Sequence, residues 1–151
     1  MIAGALIRPI IFEDADLLFK LRNQDDIIRL SASQKVVTHE EHLRWLQESL
    51  LNTGKFMFLI LVEESVAGFI SFEKKVPHKY VVSLYLAENF RGMGAGKKSY
   101  LDALNCLPIE PKSIVAKVRK DNFRSHVFFS NLGFAVNQEK EELIIMEKSY
   151  D

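Results

Sequence analysis

Arg91-Gly92-Met93-Gly94-Ala95-Gly96-Lys97 lies between an apolar run, Tyr80 to Leu86, and a helix-patterned stretch from about Gly94 to Asn105. That context, strand then glycines then helix, decides the fold class. Glycines let main-chain N–H groups converge on one concavity without Cβ clashes. The first turn of the following helix adds N–H donors with no partner inside the helix, together with the positive end of its dipole. Such a turn is built to hold phosphate or pyrophosphate.

The spacing then selects among phosphate loops. A G-x-x-x-x-G-K-[ST] loop fails, because Arg91 stands five residues before Gly96 and Lys98 follows Lys97. A G-x-G-x-x-G loop fails in both registers, since its third glycine would fall on Lys97 or on Ser99. The pattern present is R-x-x-G-x-G. It resembles the pyrophosphate loop of acetyl-CoA-dependent acyltransferases.

Outward from this turn the chain reads as a mixed α/β fold. Ala5 to Ile10 is a strand, and Glu13 and Asp14 supply the cap and acidic first turn of a helix bearing Leu17, Leu18 and Leu21. Thr38 and Glu41 form a T-x-x-E capping box ahead of a helix with Leu43, Leu46 and Leu50 at helical spacing. Lys55 to Val62 and Val66 to Phe72, split by Glu63, Glu64 and Ser65, form a β-hairpin, and Pro77 and His78 make the next turn. Tyr100, Leu101, Leu104 and Leu107 give the helix after the glycines its buried stripe, ended by Pro108 and Pro111. Ser113 to Val118 is a strand, Asp121 or Asn122 caps a helix to about Leu132, and Gly133 stops it before two closing strands. The order β-α-α-β-β-β-α-β-α-β-β predicts a central sheet of six to seven strands with four helices, in one domain over residues 1–151.

Composition narrows the function classes. Nearly half of the 151 residues are apolar and the formal net charge is zero. Neither a nucleic-acid partner nor a membrane surface is called for. Cys106 is the single cysteine, so no internal disulfide forms, and no Cys/His spacing suits a metal. A reducing, cytoplasmic setting is expected. The apolar start, Met1 to Ile10, is too short for a signal peptide and reads as the first strand.

A second segment makes the resemblance specific. Asn122-Phe123-Arg124-Ser125-His126-Val127-Phe128-Phe129-Ser130-Asn131-Leu132-Gly133-Phe134 resembles the signature N-x-x-[AS]-x-x-[LF]-Y-x-x-x-G-F of the GNAT superfamily of N-acetyltransferases. The likeness runs from Ala5 to the last strand. It implies a GNAT fold whose fourth and fifth strands splay apart to admit the pantetheine arm of acetyl-CoA. By that resemblance, main-chain groups of Leu84 and Leu86 pair with the pantetheine. Arg91, Gly92, Met93, Gly94, Ala95, Gly96 and Lys97 surround the pyrophosphate. Asn122 and Ser125, with Phe128 and Phe129, contact the remainder of the cofactor. Phe129 stands where the family carries its usual general acid, a tyrosine.

The front half resembles one GNAT subgroup, the acetyltransferases of the pseudaminic acid pathway, which acetylate the 4-amino group of a UDP-linked dideoxy amino sugar. Leu18 to Asn23, Glu40 to Trp45 and Val82 to Leu86 carry this likeness, with Leu21 where an aromatic residue is usual. The acceptor implied is a small molecule with a primary amine, touched by Arg22, Asn23, His42, Trp45 and Tyr85. An attacking amine must be neutral, which needs a base, and an oxyanion needs an aimed N–H, for which Leu86 is the candidate. Glu73, His78, Tyr85 and His42 are candidate bases. Ser130, Tyr85 or water can donate a proton in place of the missing tyrosine, and the thiolate, from a thiol of pKa about 8.5, departs without strong help. Two alternatives stay open: a protein N-terminal acetyltransferase, including the ribosomal-protein kind, and a coenzyme A-binding protein with little turnover. Whether the chain pairs as a homodimer is left open too.

Overall fold

A computed structural model describes residues 4–30 and 34–150. Met1 to Ala3, expected at the head of the first strand, lie outside the described residues. Seven strands form one sheet in the order β1-β2-β3-β4-β5-β7-β6. They are β1 (Ala5–Pro9), β2 (Lys55–Val62), β3 (Ser65–Val76), β4 (Lys79–Leu86), β5 (Ser113–Arg119), β6 (Ala135–Glu139) and β7 (Leu143–Ser149). Every neighbouring pair is antiparallel except β4 with β5. A parallel pair needs a long crossover, and helix α4 (Ala95–Leu104) supplies it.

The helices cover both faces. Helices α1 (Ala15–Arg22) and α3 (His39–Leu51) bury Leu18, Leu21 and Leu46 against Met57, Leu59 and Phe69. On the other face α4 and α5 (Phe123–Asn131) bury Tyr100, Ala103 and Phe129 against Phe72, Val82 and Ile114. Side chains of β4 alternate between the two layers. Tyr85 therefore belongs to the α1/α3 side, and Val82, Leu84 and Leu86 to the α4/α5 side.

Several expectations are corrected. A fifth helix, α2 (Asp25–Leu30), follows α1. At six residues with one buried apolar side chain, Ile27, it leaves no periodic signal to read. Asp14 is not a helix cap of the ordinary kind. It is buried, pairs with Arg8 at 2.7 Å, and accepts the Ile11 N–H at 2.9 Å. Leu17, Leu50 and Leu101 face solvent. In α3 the buried stripe is instead His42, Leu46 and Ser49, because the aromatic cluster at the sheet draws the helix round toward His42. The Thr38–Glu41 capping box forms as read, with reciprocal bonds of 3.0 and 3.1 Å.

The feature that positions everything else is where β4 and β5 stop pairing. Their register covers Lys79–Val82 against Ser113–Ala116 and goes no further. Beyond it, β5 stays bonded to β7 through Arg119, and β4 to β3 through Leu86. The two strands part. On β3, the pairing with β2 skips Ala67, since Ile60 faces Gly68 and Leu61 faces Val66. Such a bulge bends and twists its strand, and it lies level with the end of β4, where Ala87 N–H donates to Ala67 O at 2.8 Å. Gly68 admits the approach, since a Cβ there would stand 2.1 Å from the Tyr85 carbonyl oxygen.

Two predictions follow from these contacts. Gly68→Ala must push β4 outward at Tyr85 and is expected to cost roughly 1–3 kcal/mol, measured by chemical denaturation; an unchanged midpoint would contradict the close approach. The Arg8 hydrogen bond, opposed by burial and aided by the Ile11 N–H and the Arg8 charge, holds the Asp14 carboxyl below its ordinary 3.8. A carboxylate with a lowered folded pKa stabilises above its unfolded value and loses that contribution as pH falls through the folded one. Unfolding free energy should therefore fall below about pH 4 in the wild type, and less steeply in Asp14→Asn.

Candidate active site

Two cavities meet on β4. The first, of about 500 Å³, occupies the gap between the parted strands. The Ala87 N–H points to β3, so strand alternation aims the N–H groups of Leu84 and Leu86 into the gap. Below them the glycine turn opens α4. Gly92 and Gly94 take φ of 77° and 83°, the left-handed conformation that a Cβ resists. No side chain caps α4, and the first N–H to bond back is that of Lys98, to Gly94 O at 3.1 Å. The N–H groups of Ala95, Gly96 and Lys97 are thus left without helix partners. Gly96 is needed for packing as well, since a Cβ there would stand 3.0 Å from the Phe128 ring. This cradle of amides fits a diphosphate.

Leu84, Leu86, Arg91, Gly92, Gly94, Ala95, Gly96, Lys97, Asn122, Ser125, Phe128 and Phe129 all line this cavity. Met93 does not, and packs into the core instead. Asn122 caps α5 by accepting the Ser125 N–H at 3.2 Å. Arg91 has a structural duty beyond lining the cavity. Its Nε donates to Leu86 O at 3.0 Å, and its Nη2 bonds the Asp26 carboxylate. It thereby ties the turn to the end of β4 and to α2, whose Ile27 and Leu30 also line the gap.

The second cavity, of about 410 Å³, lies on the α1/α3 side. Arg22, His42, Trp45 and Tyr85 line it, as do Lys55, Glu41, Phe69, Ser71 and Ser83, which sequence reasoning missed. Ser83 and Tyr85 line both cavities, so one strand separates and joins them. Tyr85 stacks on Phe69, with ring centroids 5.9 Å apart, and His42 stacks on Trp45 at 5.6 Å. His42 is buried and its Nε2 donates to Ala15 O at 2.9 Å, which leaves Nδ1 to accept a proton. Burial holds its pKa below 6.5, so it is neutral at physiological pH. Burial also raises the Tyr85 phenol, against a smaller opposing pull from Arg22, so Tyr85 keeps its proton and is able to donate a hydrogen bond.

Four residues expected at the acceptor or in proton transfer fall outside both cavities. Asn23 spends its amide on Val37, donating to its carbonyl at 2.9 Å and accepting its N–H at 3.0 Å. It thereby sets Val37 against the second cavity. Glu73 pairs with Lys75 at 3.3 Å. Ser130 is exposed on α5. His78 anchors its turn by donating to Glu110 O at 3.1 Å. The one signal that could have located the strand ends was Gly68, a glycine inside a strand pattern. Glu41 was read as half of the capping box and Lys55 as the start of a strand, neither as lining a cavity.

A diphosphate cradle beneath parted strands, with a second pocket across the same strand, defines an acyltransferase frame. Residues 5–135 match the family model described as an acetyltransferase (GNAT) domain, and the chain belongs to that family. Enzymes of this family use acetyl-CoA. Acetyltransferase PseH of Campylobacter jejuni subsp. jejuni serotype O:23/36 (strain 81-176) is 25% identical over 130 residues, covering 86% of this chain and 82% of the relative. Among solved structures, the PaiA N-acetyltransferase of Thermoplasma acidophilum in complex with coenzyme A superposes with a TM-score of 0.81 at 21% identity, over 97% of this chain and 99% of that one. An acetyl transferase of Salmonella typhimurium that modifies the N-terminal serine of ribosomal protein L7/L12 superposes with a TM-score of 0.82 at 19% identity, over 97% and 95%. Among the described residues no helix is long and apolar enough to cross a membrane, and no cluster of ligating side chains suits a metal.

Asp26→Asn removes the charged partner of Arg91, a bond of a class worth about 1.5–3 kcal/mol. The expected outcome is an approximately tenfold rise in the coenzyme A dissociation constant, read by titration calorimetry. An unchanged constant would show that the turn holds its shape without α2.

Proposed function

We propose that this acyltransferase moves acetyl from acetyl-CoA to the amine of a nucleotide-linked amino sugar. The observation that carries the reading is the junction at Ser83 and Tyr85, where an amine in the second cavity can reach a thioester in the first. The front-half segments that resemble the pseudaminic acid subgroup, and the match to Acetyltransferase PseH, support the choice of acceptor.

The amide cradle of Ala95, Gly96 and Lys97 holds the diphosphate, and the edge of β4 orients the arm. Acetyl-CoA supplies an activated acyl group. The N–H of Leu86 or Leu84 faces the oxygen on which negative charge develops. His42, through Nδ1 directly or by way of a water, takes the proton of the amine. Tyr85 donates a hydrogen bond at the junction and does the part that Phe129, buried and without a proton, cannot. Cytoplasmic residence and action as one domain belong to the same reading.

Phe129 favours a second reading, coenzyme A binding with little turnover. Thiol release measured with acetyl-CoA and a panel of amino-sugar nucleotides, polyamines and peptides separates the two. Release with the sugar nucleotides alone supports the proposal. Release with peptides alone replaces the acceptor by a protein N-terminus, and tight coenzyme A binding without release supports the second reading.

His42→Gln should lower kcat by roughly 10²–10⁴-fold. Because His42 titrates below 6.5, wild-type kcat should fall only as pH drops beneath that value, and this acid limb should vanish in the variant. A limb that persists in His42→Gln would assign the base elsewhere.

A further inference from the structure

We infer that Lys55, at the first position of β2, grips an anionic group of the acceptor, of the phosphate or pyrophosphate class, at the end of the second cavity away from the junction. The inference rests on the acyl-transfer reading above and assigns the residue that recognises the anionic part of its acceptor.

Lys55 is half-buried and lines the cavity. Its ammonium lies 4.9 Å from the Trp45 ring centroid and donates to Ser49 Oγ at 3.1 Å. A ring face and a hydroxyl are neutral partners. Glu73, directly across on β3, bonds Lys75 instead, and no carboxylate pairs with Lys55 among the described residues. An ammonium has three donors, so donor capacity remains for a ligand. Withdrawing a cation from water is costly, and burial depresses the pKa of this lysine, with the Glu73 charge across the sheet opposing that in part.

The rest of the cavity carries one charge of each sign. Arg22 adds a second cation. Glu41 is the one lining carboxylate, and it is bonded to the Thr38 N–H at 3.0 Å in the α3 cap. The ladder Met57–Ser71–Ser83 crosses the sheet to the junction, and Lys55 lies two residues before Met57 on β2. At ordinary strand spacings its Cα is roughly 12 Å from that of Ser83. An acceptor with its amine at the junction and its anion on Lys55 thus spans the cavity, with Trp45 and Phe69 as walls between. A polyamine, by contrast, would set a further cation against Lys55 and Arg22.

The test is calorimetric titration of uridine diphosphate and of inorganic pyrophosphate into the whole chain saturated with coenzyme A, which fills the amide cradle and confines the probes to the second cavity. Wild type is expected to bind uridine diphosphate. Lys55→Met, which keeps the stem over Trp45, should bind it at least tenfold more weakly, and Lys55→Arg within about threefold of wild type. Coenzyme A should bind all three alike. Equal probe binding by wild type and Lys55→Met, or no probe binding by a wild type that takes coenzyme A, overturns the inference and leaves acyl transfer standing. No heat from coenzyme A itself would instead remove the acyl-transfer reading. Should Lys55→Met fail to fold, NMR titration of the Lys55 side chain in the wild type decides: addition of uridine diphosphate raises its pKa if the inference holds, and an unmoved titration refutes it.

Discussion

The molecule depends on an incomplete pairing. After Val82, β4 keeps its hydrogen bonds to β3 and gives up those to β5. Unpaired main-chain N–H and C=O groups are costly when buried and inviting when a ligand can reach them. Here the ladder is interrupted on one side only. The free edge is held open by the bulge at Ala67, by Gly68 beneath the Tyr85 carbonyl, and by the Arg91 side chain on the Leu86 carbonyl. Each is a local departure from regular sheet, and each acts on the same few residues of β4.

That arrangement sorts two tasks onto one strand. Main-chain groups along the β4 edge face the first cavity, and the side chains of Ser83 and Tyr85 line the second while reaching the first. The second cavity is lined by side-chain chemistry: a neutral imidazole held by the Ala15 carbonyl, a protonated phenol stacked on Phe69, and an ammonium over the Trp45 ring.

The donor half was readable because its chemistry is written in residues with little freedom of interpretation. Glycines at positive φ and an asparagine at a helix start leave a spacing that survives in one dimension. The acceptor half was readable only in part. Arg22, His42, Trp45 and Tyr85, singled out through short resembling segments, do line one cavity, whereas Asn23 holds Val37 and Glu73 pairs with a lysine. Lys55, Ser71 and Ser83 come together only because β2, β3 and β4 lie side by side in a particular register, and no local pattern announces a lysine at a strand start as half-buried. Helix α2 escaped for a similar reason. Six residues carry too little periodicity, and its place is fixed by Asp26 meeting Arg91 from 65 positions away in the chain.

The shared strand also bears on how such a protein diversifies. Apart from the shared Ser83 and Tyr85, the walls of the second cavity come from α1, Val37, α3, Lys55 of β2 and Phe69 and Ser71 of β3, while the amide cradle comes from the segment after β4 and packs on α5. Drift in the first half of the gene can therefore recut the pocket for a new amine while the second half is inherited intact. The tether between Asp26 and Arg91 is where that independence ends, and lineages that remodel the region around α2 must find another anchor for the cradle.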